Sequence, residues 1–495
     1  MNRALYRLSL ACLAMFVLLL INVNYVQAFQ SGSLAGRPGN ARAFTQQFQF
    51  QRGSIIASGG GQNTTIAESL PVKGTNMYRR HYPDGPTYAQ ITGYDSVYGS
   101  TGIENAYDKY LAGTAPSLAV HNLISLLTGK PKQGATVYLT VSPRAQQAAY
   151  QALRGDGGHQ AAVVALDPTT GAILAMASYP SFNPNLLTTF NGAQLNKIDH
   201  KLLTDPSQPL LNRAINETYP PGSSFKVVTG SAAFSTGKVA TPQTTVPAPQ
   251  PLVLPNGHTL SNDAGEVCGD GHPPIIQAFW MSCNTAFGNI GMKLGARTLQ
   301  DYASKFGWND PKLTIPMPVS PSVTPLPPGL DKSLTAYMAI GQYSDAVTPL
   351  QTAMDAAAIA NGGKLMRPYL LNYVQAPDLS TIASTRSSVL SQAVSPQVAG
   401  QMTQMMIQVT QNPGGTAYQT AGPPAVGSLV IAGKTGTAEN TVSGAGLDDA
   451  VFTCFAPASN PKIAVGVIVK GGGFGAAAAA PIAVKIIEAY LGIHQ

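Results

Sequence analysis

The chain has 495 residues, of which 44% are apolar and only 11% charged, against roughly a quarter charged in ordinary soluble proteins. This apolar content excludes general disorder, and the length allows two or three domains with sizeable cores. The net charge of +7 comes from 30 Lys and Arg scattered without a basic run, a pattern that argues against nucleic acid as a partner and favours an anionic envelope.

Arg3 and Arg7 precede an uncharged stretch from Leu8 to Phe29. At 1.5 Å per residue this stretch spans about 33 Å, enough to cross the hydrocarbon of a membrane. The two arginines favour a cytoplasmic N-terminus with the rest of the chain outside. Residues 1–29 are therefore expected to be a cytoplasmic tip and a retained transmembrane anchor. A cleaved signal peptide is the rival reading, because Val26-Gln27-Ala28 resembles a cleavage site and Asn22 and Asn24 weaken the end of the span. Both readings export the remaining chain. No second spanning run occurs: Ala476–Leu491 carries Lys485 and Glu488 and reads as a packed helix, so a single-pass protein is expected.

Residues 30–135 are rich in Gln, Gly, Ser and Thr, with short strand-like pieces and no nucleophile beside a base. The segment IENAYDKYL predicts one amphipathic helix with Glu104, Asp108 and Lys109 on its wet face. Arg79 and Arg80 are likewise expected to be solvated. This region would position chemistry rather than perform it.

From residue 136 to 495 the pattern sharpens. Thr136–Val141 alternates like a strand, and Ser142-Pro143 opens a helix as N-cap and first-turn proline. Ala161–Leu166 and Ala172–Ser178 flank the turn Asp167-Pro168-Thr169-Thr170-Gly171 and predict a hairpin. The pattern is helical over about 223–300 and 335–361. Ala432–Ala438, Ala450–Ala456 and Ile463–Val469 read as strands, and a helix closes the chain. Strands at both ends with helices between predict an α+β domain whose first and last strands meet in one sheet. Neither Asn361-Gly362-Gly363 nor Gly471-Gly472-Gly473 fits a phosphate-binding loop, so no nucleotide site is indicated.

The cysteines are Cys12, Cys268, Cys283 and Cys454, with no CxxC pair. The seven His are dispersed without metal-ligand spacing, and no metal is expected. Cys268 and Cys283 are either a disulfide or two separate thiols, and both readings stay open.

Three short motifs carry chemistry. Ser223-Ser224-Phe225-Lys226 opens a predicted helix, and an (i, i+3) pair lies on one helix face. A serine hydroxyl is a poor nucleophile until a neighbouring base takes its proton, and a lysine serves if burial and nearby cations lower its pKa. The second motif, Ser282-Cys283-Asn284, falls between two helical stretches. The third, Lys434-Thr435-Gly436-Thr437, lies on a predicted strand that alternates Lys434 and Gly436 with Thr435 and Thr437. Each alone could be structural: a solvated helix, a helix junction, a polar edge strand. Together and in this order they match the S-x-x-K, S-D-N and K-T-G set of β-lactamases and penicillin-binding proteins.

By these motifs the chain resembles a class B penicillin-binding protein, and most of all the PbpA-type transpeptidases of actinobacteria. The resemblance extends to residues 161–185, 212–226, 341–353 and 431–439, and to QRGSI (51–55) and YGSTGIENAYDKYLAG (98–113) in the N-terminal part. It implies a penicillin-binding transpeptidase fold: a five-stranded antiparallel sheet flanked by helices plus an all-helical subdomain, preceded by one transmembrane helix and a small extended pedestal. It also implies a peptidoglycan D,D-transpeptidase. Ser223 would be acylated by a D-Ala-D-Ala stem peptide, releasing D-Ala, and a neighbouring stem amine would then take the acyl group. Lys226 would be the general base and Ser282 a proton relay. Asn284 would orient Lys226, and Lys434 would supply positive charge. Thr435, Gly436 and Thr437 would bind the terminal carboxylate, with the backbone N–H groups of Ser223 and Thr437 as oxyanion hole. Cys283 is expected to point away from the chemistry. Gln342 and Thr348 either line the rear of the cleft or pack.

No cofactor is implied. The implied partners are stem peptides, β-lactams, the cytoplasmic membrane and a polytopic membrane glycosyltransferase, and the resemblance leans to a role in division. The competing readings are a D,D-carboxypeptidase, a serine β-lactamase, and a non-catalytic divisome scaffold or β-lactam sensor. A scaffold would be expected to lose Ser223 or Lys226, and both are present.

Overall fold

The protein is described from a computed structural model covering residues 2–30, 47–129, 131–439 and 448–493. The stretch 31–46, in which the pedestal is expected to begin, lies outside the described residues. An N-terminal helix, Asn2–Tyr25, continues as a wider π-turn to Gln30. Its span Leu5–Gln30 is long and apolar enough to cross a membrane, and it buries nothing against the rest of the chain.

The catalytic half is built on a five-stranded antiparallel sheet in the order 432–438, 449–456, 463–469, 161–166, 173–179. The first and last strands of this half do meet: Val469 sits opposite Ala161 and Ala464 opposite Leu166. Every residue of Asp449–Ala456 and Ile463–Val469 is buried, because helices cover both faces of the sheet. Pro349–Ala360 packs on one face, and Pro143–Arg154 with Ala479–Leu491 on the other. Strands enclosed this way have no wet face, so their sequences read as continuous apolar runs. Ser142 caps Pro143–Arg154 as its sequence predicts. A helical subdomain, including Lys226–Ser235, Ile275–Trp280, Asn284–Leu294 and Ala296–Lys305, lies in the chain between the two sets of strands.

The N-terminal part is organised around a second sheet, of six strands, in the order 381–384, 371–375, 136–139, 55–57, 64–71, 78–81. Three of its strands come from beyond residue 135. Thr136–Leu139 pairs in parallel with Ile55–Ala57 on one side and antiparallel with Leu371–Gln375 on the other. The pedestal and catalytic parts therefore share a sheet rather than meeting at a linker.

Two expectations for the pedestal are corrected. The segment IENAYDKYL is not one helix with a wet charged face: it breaks into Gly102–Ala106 and Asp108–Leu111 at Tyr107. Glu104 is fully buried and Arg80 nearly so. The Glu104 carboxylate accepts from Arg52 Nε at 2.7 Å and Arg80 Nε at 2.5 Å, with Tyr82 Oη at 3.3 Å. Arg52 also reaches Asp108 at 2.6 Å. A charge can be buried when opposite charges and hydrogen bonds replace its water. Burial drives the Glu104 carboxyl upward, but Arg80 and Arg52 outweigh it and hold the group below its usual range.

Candidate active site

The Ser223 motif begins on a tight turn. Gly222 has φ +51°, and a side chain there would place its Cβ 2.6 Å from the carbonyl oxygen of Thr437. That position therefore suits glycine on two counts, conformation and space. Gly222–Phe225 forms one 3-10 turn that runs into the helix Lys226–Ser235. Ser223 is the one residue between Pro221 and Lys226 that is not buried. Phe225 anchors the turn edge-on against Trp308 at 5.2 Å.

Lys226 is fully buried. Its Nζ donates to the Ser282 carbonyl at 2.7 Å, to Asn284 Oδ1 at 2.7 Å and to Ser282 Oγ at 3.3 Å. Lys434, also fully buried, donates to the same Ser282 Oγ at 2.9 Å and to the Thr435 carbonyl at 2.9 Å. The rings of Phe287 and Phe279 stand 5.7 Å and 5.6 Å from the two ammonium groups. Burial, then the positive charge of Lys434, pushes the Lys226 pKa well below its ordinary value, with Asp263 opposing. Burial likewise lowers Lys434 to about 7, again against Asp263. Two buried cations sharing one hydroxyl oxygen favour the neutral amine on one of them, and a neutral lysine is a base.

The second motif is held under tension. Ser282 has φ +64°, a left-handed conformation that costs a non-glycine residue on the order of 1 kcal/mol or more. Its neighbour Cys283 is disulfide-bonded to Cys268, with Cα atoms 6.2 Å apart. This resolves the alternative the sequence left open, and it removes Cys283 from any nucleophilic role. Among the described residues there is no cluster of three or more His, Cys, Asp or Glu that could hold a metal.

The third motif is the edge strand of the five-stranded sheet, lying along the Ser223 turn. A Cβ on Gly436 would come 2.8 Å from the Pro221 carbonyl oxygen and 2.9 Å from Val451 Cβ. Only a residue without a side chain lets strand and turn close up. Thr435 Oγ1 is 2.7 Å from Thr416 Oγ1, and Gln342 Nε2 donates to the Thr437 carbonyl at 3.2 Å.

The structure thus brings Ser223, Lys226, Ser282, Asn284, Lys434, Thr435, Gly436 and Thr437 together at one site. Gln342 joins them. Thr348 does not: it is buried as the N-cap of Pro349–Ala360. Sequence reasoning missed Thr416, on the loop before the third motif, and Asp263, whose carboxylate accepts from Asn284 Nδ2 at 3.2 Å. Neither belongs to a short motif, and no local signal marks a polar loop residue as facing a site formed roughly 20 to 190 residues away in the chain.

A nucleophile turn, a buried lysine pair and an edge strand closing the cleft define a serine acyl-transfer site of the penicillin-binding type, and the chain belongs to the penicillin-binding protein transpeptidase family. The family model of the penicillin binding protein transpeptidase domain matches residues 161–488, and that of the penicillin binding protein A dimerisation domain matches 52–137. The chain is similar to the peptidoglycan D,D-transpeptidase PbpA of Mycolicibacterium smegmatis, 42% identical with 99% of each chain covered. It is 40% identical to PbpA of Mycobacterium tuberculosis, again over 99% of each. The penicillin G acyl-enzyme structure of penicillin-binding protein A from M. tuberculosis superposes with a TM-score of 0.82, at 40% identity, covering 89% of this chain and 99% of that one.

Proposed function

We propose that this chain is a peptidoglycan D,D-transpeptidase, held by its N-terminal helix in the cytoplasmic membrane with the remainder on the outer side. The observation that carries this reading is the convergence of Lys226 and Lys434 on Ser282 Oγ, next to a serine on a helix-initiating turn. Neutral Lys226 takes the Ser223 hydroxyl proton as Ser223 Oγ attacks the carbonyl of the penultimate D-Ala. The negative charge that develops on that carbonyl oxygen is met by the backbone N–H groups of Ser223 and Thr437. Once it carries the Ser223 proton, Lys226 donates to Ser282 Oγ beside Lys434; Ser282 then gives its own proton to the departing D-Ala amine and takes one from Lys226, which is left neutral again. Asn284 fixes Lys226 and offers its amide to the substrate. Thr435 and Thr437 hold the terminal carboxylate beside Lys434, and Gly436 leaves the strand backbone open to it. A stem amine from a neighbouring strand then attacks the ester, returning its proton along the same path.

The N-terminal apolar helix and two flanking arginines support the membrane placement, with a cytoplasmic tip of a few residues. The glycan strands would come from a separate polytopic membrane glycosyltransferase, with this enzyme acting at division. Recovery of that partner on co-purification from solubilised membranes is the expected result.

Intact mass of the protein with and without penicillin, beside Ser223→Ala, tests the assignment. A single stable adduct absent from the variant is expected. Rapid return to unmodified mass with hydrolysed drug would make it a β-lactamase, and no adduct would leave a scaffold.

A further inference from the structure

The helix Ala119–Leu127 in the pedestal carries Val120, Leu123, Ile124 and Leu127 at i, i+3, i+4 and i+7. This spacing normally turns an apolar stripe toward a core, yet here these residues, with Leu126, are between 53% and 78% exposed. The opposite face meets the domain: Ser125 is buried, Asn122 donates to the Gly113 carbonyl at 2.8 Å, and His121 lies 3.9 Å from Asp378. The stripe is therefore oriented outward by contacts on the other side of the same helix.

What covers it is indicated by where the helix ends. Lys132, just beyond it, sits with Nζ 5.3 Å over the ring of Phe50, and Gln51 pairs with Gln133. Residues 47–51 are where the folded domain takes over from the stretch that connects it to the membrane helix. That stretch, 31–46, can reach no further than about 55 Å. The exposed stripe thus lies at the end of the molecule where the tether enters. Lys132 adds positive charge at the same place, complementary to an anionic headgroup layer.

We propose that the helix Ala119–Leu127 docks on the lipid surface, with Val120, Leu123, Ile124 and Leu127 entering the headgroup boundary and Lys132 over the phosphates. The pedestal then has two membrane contacts, one crossing and one lying flat, and the catalytic cleft is held at a fixed height and tilt. Each contact alone allows rotation; the pair removes it.

The test uses the full chain, with Cys12→Ser, in single-copy nanodiscs containing phosphatidylglycerol. An environment-sensitive fluorophore is attached through Leu123→Cys or, as a control, through Val253→Cys on an exposed hairpin of the catalytic half. Penicillin acylation confirms that both labelled proteins are folded. The Leu123 probe is expected to shift to the blue and to be quenched about twofold or more by lipid-borne nitroxide, the Val253 probe to remain in water. Equal exposure of both probes to water would overturn the proposal. So would a Leu123 probe shielded from water but unquenched by lipid, which would show the stripe covered by protein, whether a second copy or another membrane protein.

Discussion

Replacing Asp263 by Asn should move the acidic limb of the acylation pH profile to lower pH. The chain of bonds Lys226 Nζ–Asn284 Oδ1 at 2.7 Å and Asn284 Nδ2–Asp263 Oδ1 at 3.2 Å sets the carboxylate within roughly 8 Å of the ammonium. At that separation two unit charges interact by about 0.5 kcal/mol at the dielectric of water and about 2 kcal/mol at that of a protein surface. The exposed position of Asp263 favours the lower part of that range, so a shift of about half to one pH unit is expected. The sign follows from the base. Asp263 stabilises the protonated form of Lys226, whereas Lys434 and burial oppose it. Without the carboxylate, Lys226 is neutral at lower pH, and acylation persists further into acid. The measurement is the second-order rate of penicillin acylation from pH 4 to 9 for wild type, Asp263→Asn and Asp263→Glu. A limb that stayed in place, or moved upward while the adduct still formed on Ser223, would refute the electrostatic role. A carboxylate that merely braced the loop would alter the rate without moving the limb.

Glu104→Gln should cost about 3–5 kcal/mol, because two buried guanidiniums lose their shared carboxylate; denaturant unfolding should show this, with Asp108→Asn at the exposed edge of the same cluster costing under about 1 kcal/mol. Cys268→Ser opens a disulfide of sequence separation 15 and should destabilise by about 3 kcal/mol, read as a lower unfolding midpoint. Gly436→Val should abolish penicillin acylation while leaving a folded protein, since a Cβ there already meets the Pro221 carbonyl and Val451; a normal adduct by mass would contradict the fit. Burial raises the Asp355 carboxyl to about 7 against bonds from Gln351 and Trp308. Its folded pKa then exceeds the ordinary value of 3.8, so its stabilising contribution is complete below about pH 4 and is lost as pH rises through 7. Unfolding midpoints of wild type should decline across that window more steeply than those of Asp355→Asn.

The central sheet and the three motifs are legible because each is local. The apolar run Ala161–Leu166, the Asp167–Gly171 turn and the Ser142-Pro143 cap are read within a few residues, and the structure keeps all three. The features that escape the sequence depend on partners far along the chain. Glu104 reads as one more solvated charge because nothing within the helix announces Arg52 or Arg80. The pattern of Thr136–Leu139 places it in the catalytic part, which is correct for a strand but silent on which sheet it joins. Asp263 and Thr416 sit on loops whose place at the cleft is set entirely by tertiary packing. The disulfide stays undecided in the sequence because spacing alone does not give the separation of Cα atoms that permits the bond.

The shared six-stranded sheet also imposes an order of assembly. Thr136–Leu139 is synthesised some 230 residues before Leu371–Gln375, the strand that covers its edge. At a synthesis rate of about 5–20 residues per second, the newly made pedestal presents an open strand for roughly 10 to 50 seconds. For that interval its unpaired N–H and C=O groups are a template for any extended segment nearby, including another nascent chain. The pedestal is therefore not a portable module. Fusing residues 52–137 to a different partner, or truncating the chain before residue 371, would leave permanently exposed an edge that the native chain exposes only in transit.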